Sequence, residues 1–112
     1  MTAQTLNPNT QSNAMGIVNI ANGFITTDGA GTAAGQTITL GFTPRIVRLR
    51  NLTDRISDEW YEGMTAGHSI HTVAAGTVTE ETTNGITVSG NTFSVTATTM
   101  PNSKSFAWEA IG

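Results

Sequence analysis

The stretch that decides the fold is Asn84–Ala97, which reads NGITVSGNTFSVTA. Apolar and polar residues alternate on both sides of Gly90-Asn91, a dipeptide that favours a two-residue hairpin turn. A period of two is typical of a strand with one buried face. Asn84-Gly85 predicts a second tight turn, of type I′, just before this hairpin. The alternating apolar residues of the predicted hairpin are Ile86, Val88, Phe93, Val95 and Ala97.

Similar turn signals divide the rest of the chain every eight to twelve residues, the spacing of an all-β sandwich or barrel. Asn22-Gly23 predicts a turn, Asp28-Gly29 opens a loop that extends to residue 35, and Pro44 breaks the chain before another strand. No segment of ten or more residues holds the period of a helix. The sequence therefore predicts about eight or nine short strands in an antiparallel β-sandwich, either jelly-roll-like or immunoglobulin-like.

Composition and length agree with a small β domain. Threonine, which favours strands, accounts for 21 of the 112 residues, and glycine, which permits tight turns, for 12. One domain of this size fits residues 14–112. Residues 1–13 have one large apolar side chain in their interior, Leu6, close to Pro8, and so bury too little to order themselves. We predict an extended N-terminal arm that orders on a neighbouring subunit, with a frayed terminus as the alternative.

The charge balance argues against several classes of partner. The net charge is −3, and only five residues are Lys or Arg, so nucleic acid is not an expected ligand. No stretch approaches the ~20 apolar residues of a membrane span, and the N-terminus lacks the features of a secretory signal, which predicts synthesis in the cytoplasm. Only 12% of residues are charged, which favours a surface that stays in contact with another protein.

One segment, residues 45–62, carries most of the charge and predicts a hairpin. A loop over residues 53–56 pairs Arg50 with Glu59 and Leu49 with Trp60, which places the apolar side chains together on one face. The other face is either a solvated surface with cross-strand ion pairs or a binding surface, because Arg and Tyr are enriched where proteins meet. Its candidate partner-binding residues are Arg48, Arg50, Glu59 and Tyr61.

The titratable residues do not form a recognisable chemical site. His68 and His71 are three apart, so on a strand they point to opposite faces and do not suit one metal ion. No nucleophile elbow, phosphate-binding loop or zinc-protease motif is present. We therefore expect no enzymatic activity, no metal and no cofactor. Trp60 and Trp108 lie in alternating strands, which favours core anchors over platforms for a sugar.

Five motifs stand out between residues 36 and 112: Gly41–Arg45, Asn51–Asp54, Glu59–Met64, Thr72–Thr77 and Phe106–Ala110. This part of the chain resembles the head decoration, or capsid cement, proteins of tailed bacteriophages. The resemblance implies a β-sandwich on the outside of the capsid, often a trimer, that bridges major capsid protein subunits without catalysis. The virion exterior is then the expected location.

The leading hypothesis is thus a decoration protein that binds and stabilises the assembled capsid through the arm (Leu6, Pro8) and the charged hairpin face. Binding the assembled state alone stabilises it by mass action, and many weak copies on one lattice sum to a strong effect. The alternative is a receptor-binding or glycan-binding module of a tail tip or fibre, which predicts exposed aromatic side chains at a concave site.

Overall fold

The computed structural model describes residues 19–112, which form eight strands and no helix. The all-β prediction is therefore confirmed for this part of the chain. No helix in residues 19–112 has the length and apolar character that a bilayer crossing requires. The strands are β1 (Ile20–Thr26), β2 (Gln36–Thr39), β3 (Ile46–Asn51), β4 (Ile56–Tyr61), β5 (His68–Thr72), β6 (Val78–Ser89), β7 (Thr92–Val95) and β8 (Ser105–Ile111).

The eight strands form one antiparallel sheet that curls into a half-barrel. Their order is β1-β8-β3-β4-β5-β6-β7-β2, and every neighbouring pair is antiparallel. The antiparallel prediction is confirmed, whereas the two packed layers of a sandwich are not, because hydrogen bonds join all eight strands into a single sheet. The predicted arm over residues 1–13, with Leu6 and Pro8, lies outside the described residues.

Of the two turns predicted around the decisive stretch, one is confirmed and one is wrong. Gly90-Asn91 joins β6 to β7, which pair from Ser89 opposite Thr92 onwards. Asn84-Gly85 instead lies inside β6, whose register against β5 shifts between His68 and the next residue. The β7 strand ends at Val95, so the predicted alternation stops before residue 97.

A β-bulge explains why the chain continues through Asn84-Gly85. The carboxylate of Glu81 accepts hydrogen bonds from the backbone N–H groups of Thr83 (3.1 Å) and Asn84 (3.2 Å), so side-chain oxygen replaces the missing cross-strand acceptors. Backbone approaches so closely at Gly85 that a Cβ there would lie 2.4 Å from the carbonyl carbon of His68. Glycine is needed at this position for close approach rather than for a turn.

The same error affects Asn22-Gly23, which lies in the middle of β1 and makes no turn. Gly23 stands opposite Trp108 on β8, and a Cβ at Gly23 would lie 2.4 Å from the indole Nε1. The missing side chain therefore makes room for the indole across the sheet. The loop predicted over residues 28–35 is confirmed, since it connects β1 to β2 without regular structure.

The core lies on one face of the curled sheet, which we call the inner face. Phe93 and Phe106 are fully buried, and ring centroids of Phe93 and Trp108 are 5.3 Å apart at an interplanar angle of 65°, an edge-to-face contact. Each fully buried side chain of this size contributes about 1.5–3 kcal/mol by leaving water. The buried apolar residues are Leu40, Val47, Leu49, Trp60, Ile86, Phe93, Val95, Met100, Phe106 and Ala110.

Candidate protein-binding face

The β3–β4 hairpin has the predicted faces in a different register. Arg48 pairs with Glu59 and Leu49 with Asp58, two residues away from the predicted pairing. A shift of two residues leaves every side chain on its own face, since strand side chains alternate. The predicted division between apolar and charged faces is therefore correct, and the predicted register is wrong.

The loop that joins the two strands accounts for the shift. It comprises residues 52–55 instead of the predicted 53–56. The side chain of Asn51 accepts a hydrogen bond from the backbone N–H of Asp54 (2.9 Å) and donates one to its carboxylate (3.1 Å), which closes the loop early. Arg55 completes the turn with a positive φ of 58°. These contacts, rather than strand patterning, set the register.

We call the opposite side of β1, β8, β3, β4 and β5 the outer face. The structure brings the four predicted hairpin residues together there, and Glu109 of β8 joins them opposite Arg48. Glu109 was not among the predicted residues, although its alternation with buried residues on β8 was a usable signal. The central charged and aromatic residues of the outer face are Arg48, Arg50, Glu59, Tyr61 and Glu109.

An ion network centred on Arg48 organises this face. The guanidinium Nη1 donates to Oε1 of Glu109 at 2.8 Å, and Nε lies 3.5 Å from Oε2 of Glu59. The hydroxyl of Tyr61 donates to the same Glu59 oxygen at 2.5 Å. Hydrogen bonding to Glu109, and then to Tyr61, raises the pKa of Arg48 above its ordinary value. The side chains are half-exposed, so each pair adds only about 0.2–1 kcal/mol to stability but holds its partners in fixed positions.

Exposed apolar side chains flank the network. Phe24 on β1 is 64% exposed and Ile20, on the same face, is 63% exposed, while Val78 on β6 is 60% exposed. Phe24 stands opposite Ala107, and a shallow depression of about 760 Å³ lies between it and the Arg48 network. Phe24 was not among the predicted residues, because the two residues before it were assigned to a turn. The outer face thus combines apolar, aromatic and charged groups in one surface.

A second polar cluster lies on the inner face and involves Asp58, which is 3% exposed. Its Oδ1 accepts hydrogen bonds from the hydroxyl of Ser69 (2.8 Å) and from Nδ1 of His71 (2.9 Å). The aspartate separates the serine from the histidine, so this histidine does not contact the hydroxyl as the base of a nucleophile must. The contacts satisfy buried polar groups and anchor β4 to β5.

The two histidines lie on opposite faces, as their spacing predicts. Nδ1 of His68 is 2.9 Å from a carboxylate oxygen of Glu80 on the outer face, whereas His71 faces inward. Within the described part of the chain, no three side chains of His, Cys, Asp or Glu lie close enough together to hold a metal ion. The two tryptophans lie where a role as core anchors predicts: Trp60 is buried, and Trp108 packs against the core.

Comparisons with protein-family models, curated proteins and solved structures give no match to this chain. The resemblance to head decoration proteins therefore stays a prediction.

Proposed function

We propose that this chain is a virion structural protein, a capsid decoration protein that binds the major capsid protein through its outer face. The observation that carries the proposal is the composition of that face. Two apolar side chains of edge strand β1, Ile20 and Phe24, are each more than 60% exposed on this face. Exposed apolar groups on a monomer's surface mark sites of interaction when they lie together with organised polar groups.

The chemistry of the outer face suits a protein partner. Aromatic residues and arginine are enriched at the centres of interfaces, where they lose water and make directional contacts. Phe24 offers an apolar anchor, and the Arg48 network offers hydrogen-bonding groups that are already fixed. Because Glu59 and Glu109 hold the guanidinium in place, little side-chain freedom is lost when a partner docks.

Binding of this kind would stabilise a capsid without any catalytic step. A protein that binds the assembled lattice and not its dissociated subunits shifts the equilibrium towards assembly. Many copies on one lattice multiply a modest contact. The proposal retains the trimer and the β-sandwich that the resemblance implies. It also retains the arm predicted from the composition of residues 1–13, with Leu6 and Pro8 in contact with the capsid.

The two tryptophans do not support the glycan-binding alternative, although Phe24 is exposed beside the depression of the outer face. Trp60 is 7% exposed, and the indole of Trp108 lies over Gly23 and against Phe93 on the inner face. Sugar platforms require a flat, accessible aromatic surface. The protein-binding proposal is therefore preferred.

The test uses particles of the phage that encodes this chain. Gradient-purified particles should contain the chain in proportion to the major capsid protein, and particles made without it should regain it when the pure protein is added. Absence of the chain from the particles, or its presence at the tail alone, would contradict the proposal.

Two matched variants locate the contact. Phe24→Asp places a carboxylate on the exposed outer side of edge strand β1, and Gln36→Asp places one at an exposed position on β2, the opposite edge of the sheet. We expect Phe24→Asp to lower capsid occupancy at least ~10-fold, because burying an unpaired charge is costly. Gln36→Asp should bind like the parent. Equal occupancy of both variants would exclude the outer face.

The arm has its own test. A chain that lacks residues 1–13 should fold, as judged by its circular dichroism, and should no longer bind capsids, because the arm supplies contacts that the domain does not. Unchanged capsid occupancy by the truncated chain would refute the arm contact and leave the outer face as the sole candidate.

A further inference from the structure

The five cationic side chains of this protein fall into two groups. Arg45 lies 3.6 Å from a carboxylate oxygen of Glu62, Arg48 contacts two glutamates, and Lys104 lies 3.1 Å from Asp54. Within residues 19–112, Arg50 and Arg55 have no carboxylate within ion-pair distance. The exception is notable because the chain has eight Asp and Glu residues for five cations.

The two unpaired arginines line the same depression. It has a volume of about 430 Å³ and lies at the hairpin end of the outer face. Ser57 and Thr72 contribute hydroxyl groups to it, and Leu52, which is 43% exposed, contributes an apolar side chain. No acidic residue of the described chain lines this depression. Two arginines and two hydroxyl-bearing residues, with Leu52 and Ile56 as apolar neighbours, therefore line a common space.

Local structure explains why neighbouring carboxylates do not neutralise these arginines. Asp54 precedes Arg55 directly, but its two carboxylate oxygens are engaged by the amide of Asn51 and the ammonium group of Lys104. Arg50 stands opposite Ser57 and Ala107, neither of which carries charge. It also lines the larger depression beside Glu59 and Glu109, but both of these carboxylates pair with Arg48 instead. The register that the loop imposes thus leaves both cations available.

We infer that this depression binds carboxylate side chains of an acidic segment in a partner protein, with Arg50 and Arg55 as the anion-binding residues. Guanidinium groups recognise carboxylates through paired N–H donors, and hydroxyls add further donors. An exposed leucine at the edge suits an apolar residue between two acidic ones. A polyanion such as nucleic acid is disfavoured, because the chain carries a net charge of −3 and only two available cations.

This inference deepens the proposed function, since it names the partner's chemistry at one end of the outer face. Its test needs no virus particle and is therefore independent of the capsid experiment. If the peptide below binds and the particles lack the chain, the capsid proposal fails and the anion site stands. If the particles contain the chain and the peptide does not bind, the anion site fails and the capsid proposal stands.

The probe is a synthetic capped peptide, Ser-Asp-Leu-Glu-Ser, titrated into the ¹⁵N-labelled full chain and followed by NMR. We expect shifts concentrated in residues 50–57 and at the side-chain Nε–H groups of Arg50 and Arg55. The neutral peptide Ser-Asn-Leu-Gln-Ser is the matched control and should bind about 10-fold more weakly. Equal binding of both peptides would overturn the proposal. Inorganic phosphate that binds as well as the acidic peptide at the same concentration would also overturn it, because the site would then be an unspecific anion site.

Variants separate the site from general electrostatics. Arg50→Gln removes an exposed guanidinium, and Arg55→Gly removes the other while suiting the positive φ of 58°, so both should fold. Each should weaken the acidic peptide about 3-fold, and the pair about 10-fold. Arg45→Gln changes the net charge equally outside the depression and should have no such effect. Equal weakening by Arg45→Gln would overturn the assignment.

Discussion

Gly23→Ala is the substitution whose effect follows most directly from the fold. A Cβ at this position would lie 2.4 Å from Nε1, 2.6 Å from Cε2 and 2.7 Å from Cζ2 of Trp108. All three distances are well inside van der Waals contact, so the indole must move. The same indole makes the edge-to-face contact with Phe93, at a centroid separation of 5.3 Å, so its movement disturbs the core.

The magnitude follows from three contributions. Overpacking by one methyl group costs about 1–3 kcal/mol. Weakening the contact between Trp108 and Phe93 costs about 0.5–1.5 kcal/mol. Replacing a strand glycine restores roughly 0.5–1 kcal/mol through backbone entropy. We therefore expect Gly23→Ala to lower the free energy of unfolding by about 2 kcal/mol, with a change in tryptophan fluorescence in the folded state.

Urea unfolding measures this free energy, and Gly41→Ala is the control, since a Cβ at Gly41 would meet no atom within 4 Å. The control should change stability by less than about 0.5 kcal/mol. Trp108→Phe in the Gly23→Ala background should lower the cost of the alanine, because the smaller ring leaves room. If Gly23→Ala is as stable as the parent, the indole does not lie over β1 and the pairing of β1 with β8 is misplaced.

Three further changes test other contacts. Asp58→Ala leaves the buried hydroxyl of Ser69 without its acceptor, so the free energy of urea unfolding should fall by about 1–3 kcal/mol; no loss would contradict that hydrogen bond. Gly85→Ala places a Cβ 2.4 Å from backbone of His68 and should cost about 3 kcal/mol in the same assay, whereas a neutral effect would exclude the bulge. Backbone N–H groups lower the pKa of Glu81, so the stability that its carboxylate contributes is present above the ordinary glutamate pKa and is lost as pH falls through the lowered value. The difference in melting temperature between the parent and Glu81→Gln should therefore shrink as the solution is acidified. A difference that stays constant with pH would contradict this prediction.

The alternation of apolar residues was enough to predict the all-β fold and the two faces of the β3–β4 hairpin. It placed Leu49 and Trp60 inside and Arg48 and Glu59 outside, and the structure agrees. The register of the β3–β4 hairpin could not be predicted in this way, because it depends on how the connecting loop closes. The hydrogen bonds of Asn51 start that loop one residue early, and no period-two pattern records them.

The two wrong turns share one physical cause. Asn-Gly favours a hairpin when nothing else competes for the glycine, but at Gly23 an indole occupies the Cβ space, and at Gly85 the backbone of the neighbouring strand does. Both competitors are distant in sequence, so local patterning cannot reveal them. The error had a functional consequence, because the assignment of a turn hid Phe24 from the predicted binding residues.

The candidate site was predicted in part. Four outer-face residues came from the charged hairpin itself, where like and unlike charges lie close in the sequence. Glu109, the acceptor in the shortest ion pair of Arg48, lies on β8 and reaches it only because β3 pairs with both β4 and β8. Which arginines form ion pairs likewise depends on the order of strands in the sheet, and composition does not encode that order.

The inner face of the sheet holds the core, and we propose that the outer face meets a protein partner. A density map of the assembled particle would show which side of the sheet points towards the capsid. We expect the chain on the capsid exterior, with Phe24 and Arg48 against the major capsid protein. A chain bound with these side chains facing solvent, or a map with no density for it on the head, would refute the proposal.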